Sequence, residues 1–261
     1  MPIFSGAPSI AWLELNWFTL SCRATLGVPI VAINQPPITK RHYLRNLVYH
    51  KNKWDEPLSD TDKTNGFLGW HERGYLPHCD KPNLVQFVTL RLADSLPLSR
   101  RGEWEHLLKI EDARERRTEL ESYLDQGIGE CWLSDVQIAA CVEEAIRFHH
   151  SQRYELLAWC VMPNHAHVLV HVWDWPLAKI LQNWKSITAV KANRILGRSG
   201  SFWQREYWDT FMRSEEQEKK AIHYIESNPV KAKLSRAGED WPFSSARFRD
   251  KYRRLVLPEK F

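Results

Sequence analysis

The chain has 261 residues, 43% hydrophobic and 26% charged, with 36 Lys and Arg against 32 Asp and Glu. That mix is long and apolar enough to bury a core of its own, and it excludes a disordered tail or an extreme basic arm. The charge is unevenly spread: Ser151–Phe261 holds 19 Lys and Arg against 12 Asp and Glu, or +7, and the preceding residues 17 against 20, or −3.

The first forty residues mix Pro2, Pro8, Pro29, Pro36 and Pro37 with apolar stretches of no sustained period, and Asp55 to Gly66 is polar and turn-rich. Residues 1–73 therefore read as an N-terminal extension or linker. Glu14 and Arg23 interrupt its apolar patches and no basic stretch precedes them, so neither a signal peptide nor a membrane anchor is expected. The five cysteines, Cys22, Cys79, Cys131, Cys141 and Cys160, are odd in number, widely spaced and form no Cys-x-x-Cys pair. This speaks against a disulfide framework and a zinc knuckle, and for a reducing, cytoplasmic setting.

Regular signals begin near Pro82. Leu84 to Leu92 is rich in β-branched and aromatic residues between Pro82-Asn83 and Pro97, which predicts a strand. A charged helical stretch follows from about Gly102 to Leu124. Ser134-Asp135 offers an N-cap ahead of Ile138, Val142, Ala145 and Ile146, whose spacing predicts an amphipathic helix to about His150. Two apolar runs, Tyr154–Met162 and Ala166–Val172, flank Pro163-Asn164 and predict a hairpin. Leu177, Ile180, Leu181, Trp184 and Ile187 then repeat at helical spacing until Gly197. Phe202 to Met212 reads as one more strand, and Ser214 opens a last helix running to Asn228 before Pro229. The order of elements predicts an α+β fold: a central antiparallel sheet with helices packed on it.

Two groups of residues carry chemistry. His165 and His167 open a strand, where side chains at i and i+2 share a face, so both imidazoles can converge on one metal ion. His171 falls on the same face two steps further along and reads as a flanking or solvated residue. Tyr224 and Asn228 stand at i and i+4 on the last helix, displaying a phenol and an amide side by side. Two imidazoles and an amide oxygen form a partial coordination sphere for Mg²⁺ or Mn²⁺ with open positions, beside a hydroxyl nucleophile.

These residues lie in longer matching runs: Trp159-Cys160-Val161-Met162-Pro163-Asn164-His165-Ala166-His167-Val168-Leu169, Phe202-Trp203-Gln204-Arg205-Glu206-Tyr207-Trp208-Asp209, and Tyr224-Ile225-Glu226-Ser227-Asn228-Pro229-Val230-Lys231-Ala232. They resemble the single-tyrosine HUH transposases and, within them, the REP-associated tyrosine transposases, domesticated bacterial relatives that act at repeated extragenic palindromes. The resemblance runs from about Gly74 to Arg249, including Gly74-Tyr75-Leu76-Pro77-His78, Arg91 to Pro97 and Trp241-Pro242-Phe243-Ser244-Ser245. It implies a transposase domain over residues 74–250 with a ferredoxin/RRM-like sheet, and leaves residues 251–261 as a basic C-terminal tail.

Carried over residue by residue, the resemblance makes His165, His167 and Asn228 the ligands of a divalent metal, Mg²⁺ or Mn²⁺, and Tyr224 the nucleophile; Tyr207 lies outside the helix motif. It implies nicking and rejoining of single-stranded DNA at hairpin or palindromic sequences through a 5′-phosphotyrosine, by a monomer or homodimer associated with the nucleoid. Lys179, Lys185, Lys191, Arg194, Arg198 and Arg205 are candidate phosphate contacts, tryptophans offer faces for unpaired bases, and the Arg247–Arg254 cluster either contacts DNA or folds back. The alternatives are a catalytically inactive hairpin-binding protein of the same fold, and a metal-dependent hydrolase in which Tyr224 only packs.

Overall fold

The computed structural model describes residues 54–72, 77–95 and 98–258. Residues 1–53 of the expected extension lie outside these, as do parts of the Gly74–His78 and Arg91–Pro97 motifs. The described residues fall within one compact unit, Ile38–Phe261.

The described chain runs through α1 (Asp60–Asn65), β1 (Gly69–Glu72), β2 (Pro77–Asp80), β3 (Val85–Arg91), α2 (Arg101–Leu108), α3 (Ala113–Asp125), α4 (Val136–Phe148), β4 (Tyr154–Val161), β5 (His165–Val172), α5 (Leu177–Ile195), β6 (Trp208–Phe211) and α6 (Glu215–Lys231). The main sheet has the order β4-β5-β3-β6, antiparallel throughout. With α4 and α5 as its two crossover helices, this is the β-α-β-β-α-β arrangement of a ferredoxin-like sheet, with α2 and α3 inserted after the first strand. The expected α+β architecture is present.

Every residue of β5 is buried, because the sheet is covered on both faces. Ala166, Val168, Val170 and Val172 join α4 and α5 residues such as Ile138, Val142, Ile180 and Trp184 in the larger core. Leu169 points the other way, into a second cluster with Phe87, Ala221 and Ile225. Each Val or Leu fully buried there stabilises the fold by on the order of 1.5–3 kcal/mol. A bulge at Leu157 keeps β4 in step with both layers: Leu156, Trp159 and Val161 face the first core, Leu157, Ala158 and Cys160 the second.

Four sequence expectations shift. The charged helical stretch divides into α2 and α3, because Asp112 caps a new helix by accepting from the Glu115 amide. The strand expected over Phe202–Met212 shrinks to β6, since Phe202 and Trp203 are spent as core side chains. The last helix continues through Pro229 to Lys231; a proline in the final turn leaves only one ladder bond unmade, and its carbonyl accepts from the Leu234 amide. Finally, the turn-rich run after Asp55 contains α1, closed by a Ser59–Asp62 capping box and ended by Gly66 at φ 94°. Residue 74, the expected domain boundary, falls between the paired strands β1 and β2.

Candidate active site

The β4–β5 turn, Pro163-Asn164, delivers His165 and His167 onto the face of β5 that meets α6. Their Nε2 atoms approach to 3.1 Å. Two ring nitrogens come that close only with a proton or a cation between them, since both carry lone pairs otherwise. Each imidazole is held from behind. The Asn164 amide nitrogen donates to the Leu124 and Ile128 carbonyls, so its oxygen accepts from His165 Nδ1 at 2.7 Å. That fixes Nδ1 as the protonated nitrogen and leaves the His165 Nε2 lone pair facing the site. His167 Nδ1 lies 2.9 Å from the Thr89 hydroxyl, which can rotate to donate or accept. Burial, and then the charge of Arg91, push His165 from its ordinary value near 6.5 down to about 3, so the ring is neutral and ready to act as a ligand.

Across the gap, α6 presents Tyr224 and Asn228. The Tyr224 ring stands edge-on to His167 at 5.6 Å between centroids, with Phe87 6.0 Å away on its other flank. The Asn228 amide nitrogen donates to the Tyr224 hydroxyl at 3.3 Å, which leaves Asn228 Oδ1 buried without a hydrogen-bond partner. A buried acceptor with no donor is costly unless a ligand completes it. Two neutral imidazole nitrogens and this amide oxygen are a donor set that suits a small divalent ion. Among the described residues, no group of three or more His, Cys, Asp and Glu gathers to hold a metal elsewhere. The Lys231 ammonium sits 4.2 Å over the Tyr224 ring.

The four residues singled out in the sequence thus lie on facing elements. Thr89, Asn164, Phe87 and Lys231 were missed: their roles arise from pairing across the sheet, and Asn164 read only as a turn former. His171, expected to be flanking or solvated, is fully buried: its Nδ1 accepts from the Trp173 indole at 3.3 Å and lies 3.6 Å from Glu155. Tyr207 is buried against His78.

The candidate DNA contacts are differently placed. Helix α5, with Lys179, Lys185, Lys191 and Arg194, packs on the opposite face of the sheet from Tyr224. Lys179 donates to the Asn65 carbonyl, Lys185 to those of Gln204 and Arg205, Lys191 pairs with Glu144, and Arg198 lies over Trp132. Arg194 and Arg205 are exposed. The Arg247–Arg254 cluster folds back: Arg249 pairs with Glu226 at 2.7 Å in a buried contact, Arg247 with Glu143, and Arg254 with Asp250.

Comparison with known proteins agrees with the site. Residues 135–228, the span from α4 through Asn228, match the family described as Transposase IS200 like. A REP-associated tyrosine transposase of Escherichia coli strain K12 is 28% identical over 102 residues, 38% of this chain and 59% of that protein. A Haemophilus influenzae protein described under the same family name is 27% identical over 103 residues, 35% of this chain and 58% of its own. The chain thus spans less than two thirds of either relative. A solved structure of a REP-associated tyrosine transposase bound to a REP hairpin is 18% identical, covers 73% of this chain and 89% of that one, and gives a TM-score of 0.43. Residues 135–228 are an IS200-like transposase region, and the chain is a relative of the REP-associated tyrosine transposases.

Proposed function

We propose that the chain nicks and rejoins single-stranded DNA beside a hairpin or palindromic sequence, with Tyr224 as nucleophile. One observation carries this reading: two buried imidazole nitrogens and an unpartnered amide oxygen converge on facing elements beside a phenol. His165, His167 and Asn228 would hold a divalent ion such as Mg²⁺ or Mn²⁺. When bound, it polarises the scissile phosphate and offsets the negative charge that repels a nucleophile.

The Tyr224 oxygen attacks phosphorus, the bond from phosphorus to the 3′-oxygen breaks, and the products are a 5′-phosphotyrosine and a strand ending in a 3′-hydroxyl. The phenol proton leaves to solvent during attack, and the departing 3′-oxygen takes one up. Asn228 orients the phenol through its amide hydrogen bond, and Lys231 places positive charge against the ring as its oxygen gives up the proton. Because the covalent link keeps the phosphodiester, a second 3′-hydroxyl can displace the tyrosine and rejoin the strands without a nucleotide cofactor. Buried neutral imidazoles are suited to metal binding and poorly suited to activating water. This favours strand transfer over hydrolysis.

The test is a labelled single strand bearing a hairpin, incubated with Mn²⁺ and run under denaturing conditions. Wild type is expected to give a denaturation-resistant protein–DNA adduct, and Tyr224→Phe and His165→Ala none. Cleavage that survives in Tyr224→Phe would remove the nucleophile assignment, and binding without cleavage by wild type would make the chain a hairpin-binding protein.

A further inference from the structure

On the face of the sheet that carries Tyr224, beside the site, lies a cavity of about 260 Å³. Its walls include Phe87, Trp208 and Phe211, with Trp70 at the rim and Arg116, Arg213 and Glu121 among the charged lining residues. We propose that this cavity seats one unpaired nucleobase of the DNA strand, next to the phosphate that Tyr224 attacks.

Size, wall chemistry and position support this. The volume lies below the range typical of pockets for larger organic ligands, so it suits a single flat ring system. Aromatic walls stack on any base. Trp70 is 54% exposed and meets Phe211 edge-on at 5.7 Å, which leaves an indole face at the rim for a base to cover. Charge sets the orientation: Glu121 in the wall repels a phosphate seated deep, whereas the exposed Arg213, 4.8 Å over Phe211, takes a phosphate at the mouth. The base therefore enters and its backbone stays outside.

Position ties the cavity to the chemistry. Phe87 forms part of the wall and is also in ring contact with His167, at 5.3 Å, and with Tyr224. Thr89, another wall residue, holds His167 Nδ1. A base in the cavity is separated from the nucleophile by one side chain. Trp70 lies on β1, upstream of the family match at 135–228, so the choice of base at this position belongs to this chain's own N-terminal hairpin.

The inference rests on the reading of the chain as a DNA strand transferase, yet binding tests it separately. In a Tyr224→Phe background, the anisotropy of a fluorescein-labelled DNA hairpin with unpaired flanks measures affinity. Trp70→Ala is expected to weaken binding roughly 5- to 100-fold, and Trp70→Phe to restore most of it. One abasic site is then walked along the flanks. At one position its loss should match that of Trp70→Ala, and combining the two should cost no more than either alone. Unchanged affinity in Trp70→Ala, losses that add at every position, or no binding of the hairpin by the parent would each overturn the base pocket. Circular dichroism confirms that the exposed substitution leaves the fold intact. In the parallel adduct assay, adduct without coupling to Trp70 removes the pocket and keeps the transferase, and coupling without adduct does the reverse.

Discussion

At the scale of single residues, the site depends on groups that never touch DNA. Thr89 fixes the ring of His167 and Asn164 fixes that of His165, and such supports typically set metal affinity by about 10–100-fold. Thr89→Val keeps the shape and removes the hydroxyl, so Mn²⁺ affinity, read by electron paramagnetic resonance titration, should fall about tenfold or more with the fold intact. His165 also makes stability depend on pH. Its value near 3 in the fold lies below the ordinary 6.5, so as pH falls below about 6.5 the unfolded chain takes up a proton that the folded chain refuses. Stability present above that pH is lost as pH drops toward 3, at up to about 1.4 kcal/mol per pH unit from this group. Metal-free His165→Asn should show a shallower fall in Tm between pH 6 and pH 4 than wild type; parallel curves would mean that His165 titrates normally.

At the scale of elements, α6 serves two masters. One side presents Tyr224 and Asn228, and another anchors the C-terminal segment through Glu226, which accepts from Ser245 Oγ and Arg249 Nε at 2.7 Å each. Arg249 also donates to the Leu157 carbonyl at the β4 bulge, so the pair locks the helix to the sheet. Breaking a buried pair from one side leaves an unpaired charge, and Arg249→Ala is expected to cost about 3–5 kcal/mol in urea unfolding. Removing both charges in Glu226→Gln/Arg249→Met should recover part of that loss. Gly238 packs against the same helix: an added Cβ would stand 2.4 Å from the Glu226 carbonyl oxygen, so Gly238→Ala should also lower the urea midpoint.

For the whole molecule, the +7 balance of Ser151–Phe261 does not mark one DNA-binding face. Much of it is spent inside the protein, on α5 contacts and on the C-terminal ion pairs. None of the helices among the described residues is long and apolar enough to cross a membrane. The segment before residue 74 is tied to the rest: β1 pairs with β2, and the buried Lys81 ammonium donates to the Trp54 and Glu56 carbonyls at 2.5 Å each. A chain beginning at residue 74 loses both, and its Tm should fall below that of a chain beginning at residue 54. Adding Lys81→Met to the shorter chain should restore part of the difference, because an unsatisfied buried ammonium is then gone.

Sequence alone determined what is local or repeats at short range. The i, i+2 histidines, the i, i+4 tyrosine and asparagine, the hairpin turn and the amphipathic helices follow from strand and helix periods, and each appears where those periods place it. Tertiary structure decided what depends on pairing between distant segments. The antiparallel register of β3 with β5 sets Thr89 opposite His167, and the bulge in β4 turns Cys160 toward α6. The sheet itself divides the cations of α5 from the tyrosine, and the buried acid on α6 turns a basic tail into an anchor. The physical reason is that local patterns fix which face a side chain takes, whereas its partner is fixed only when a second surface is packed against that face.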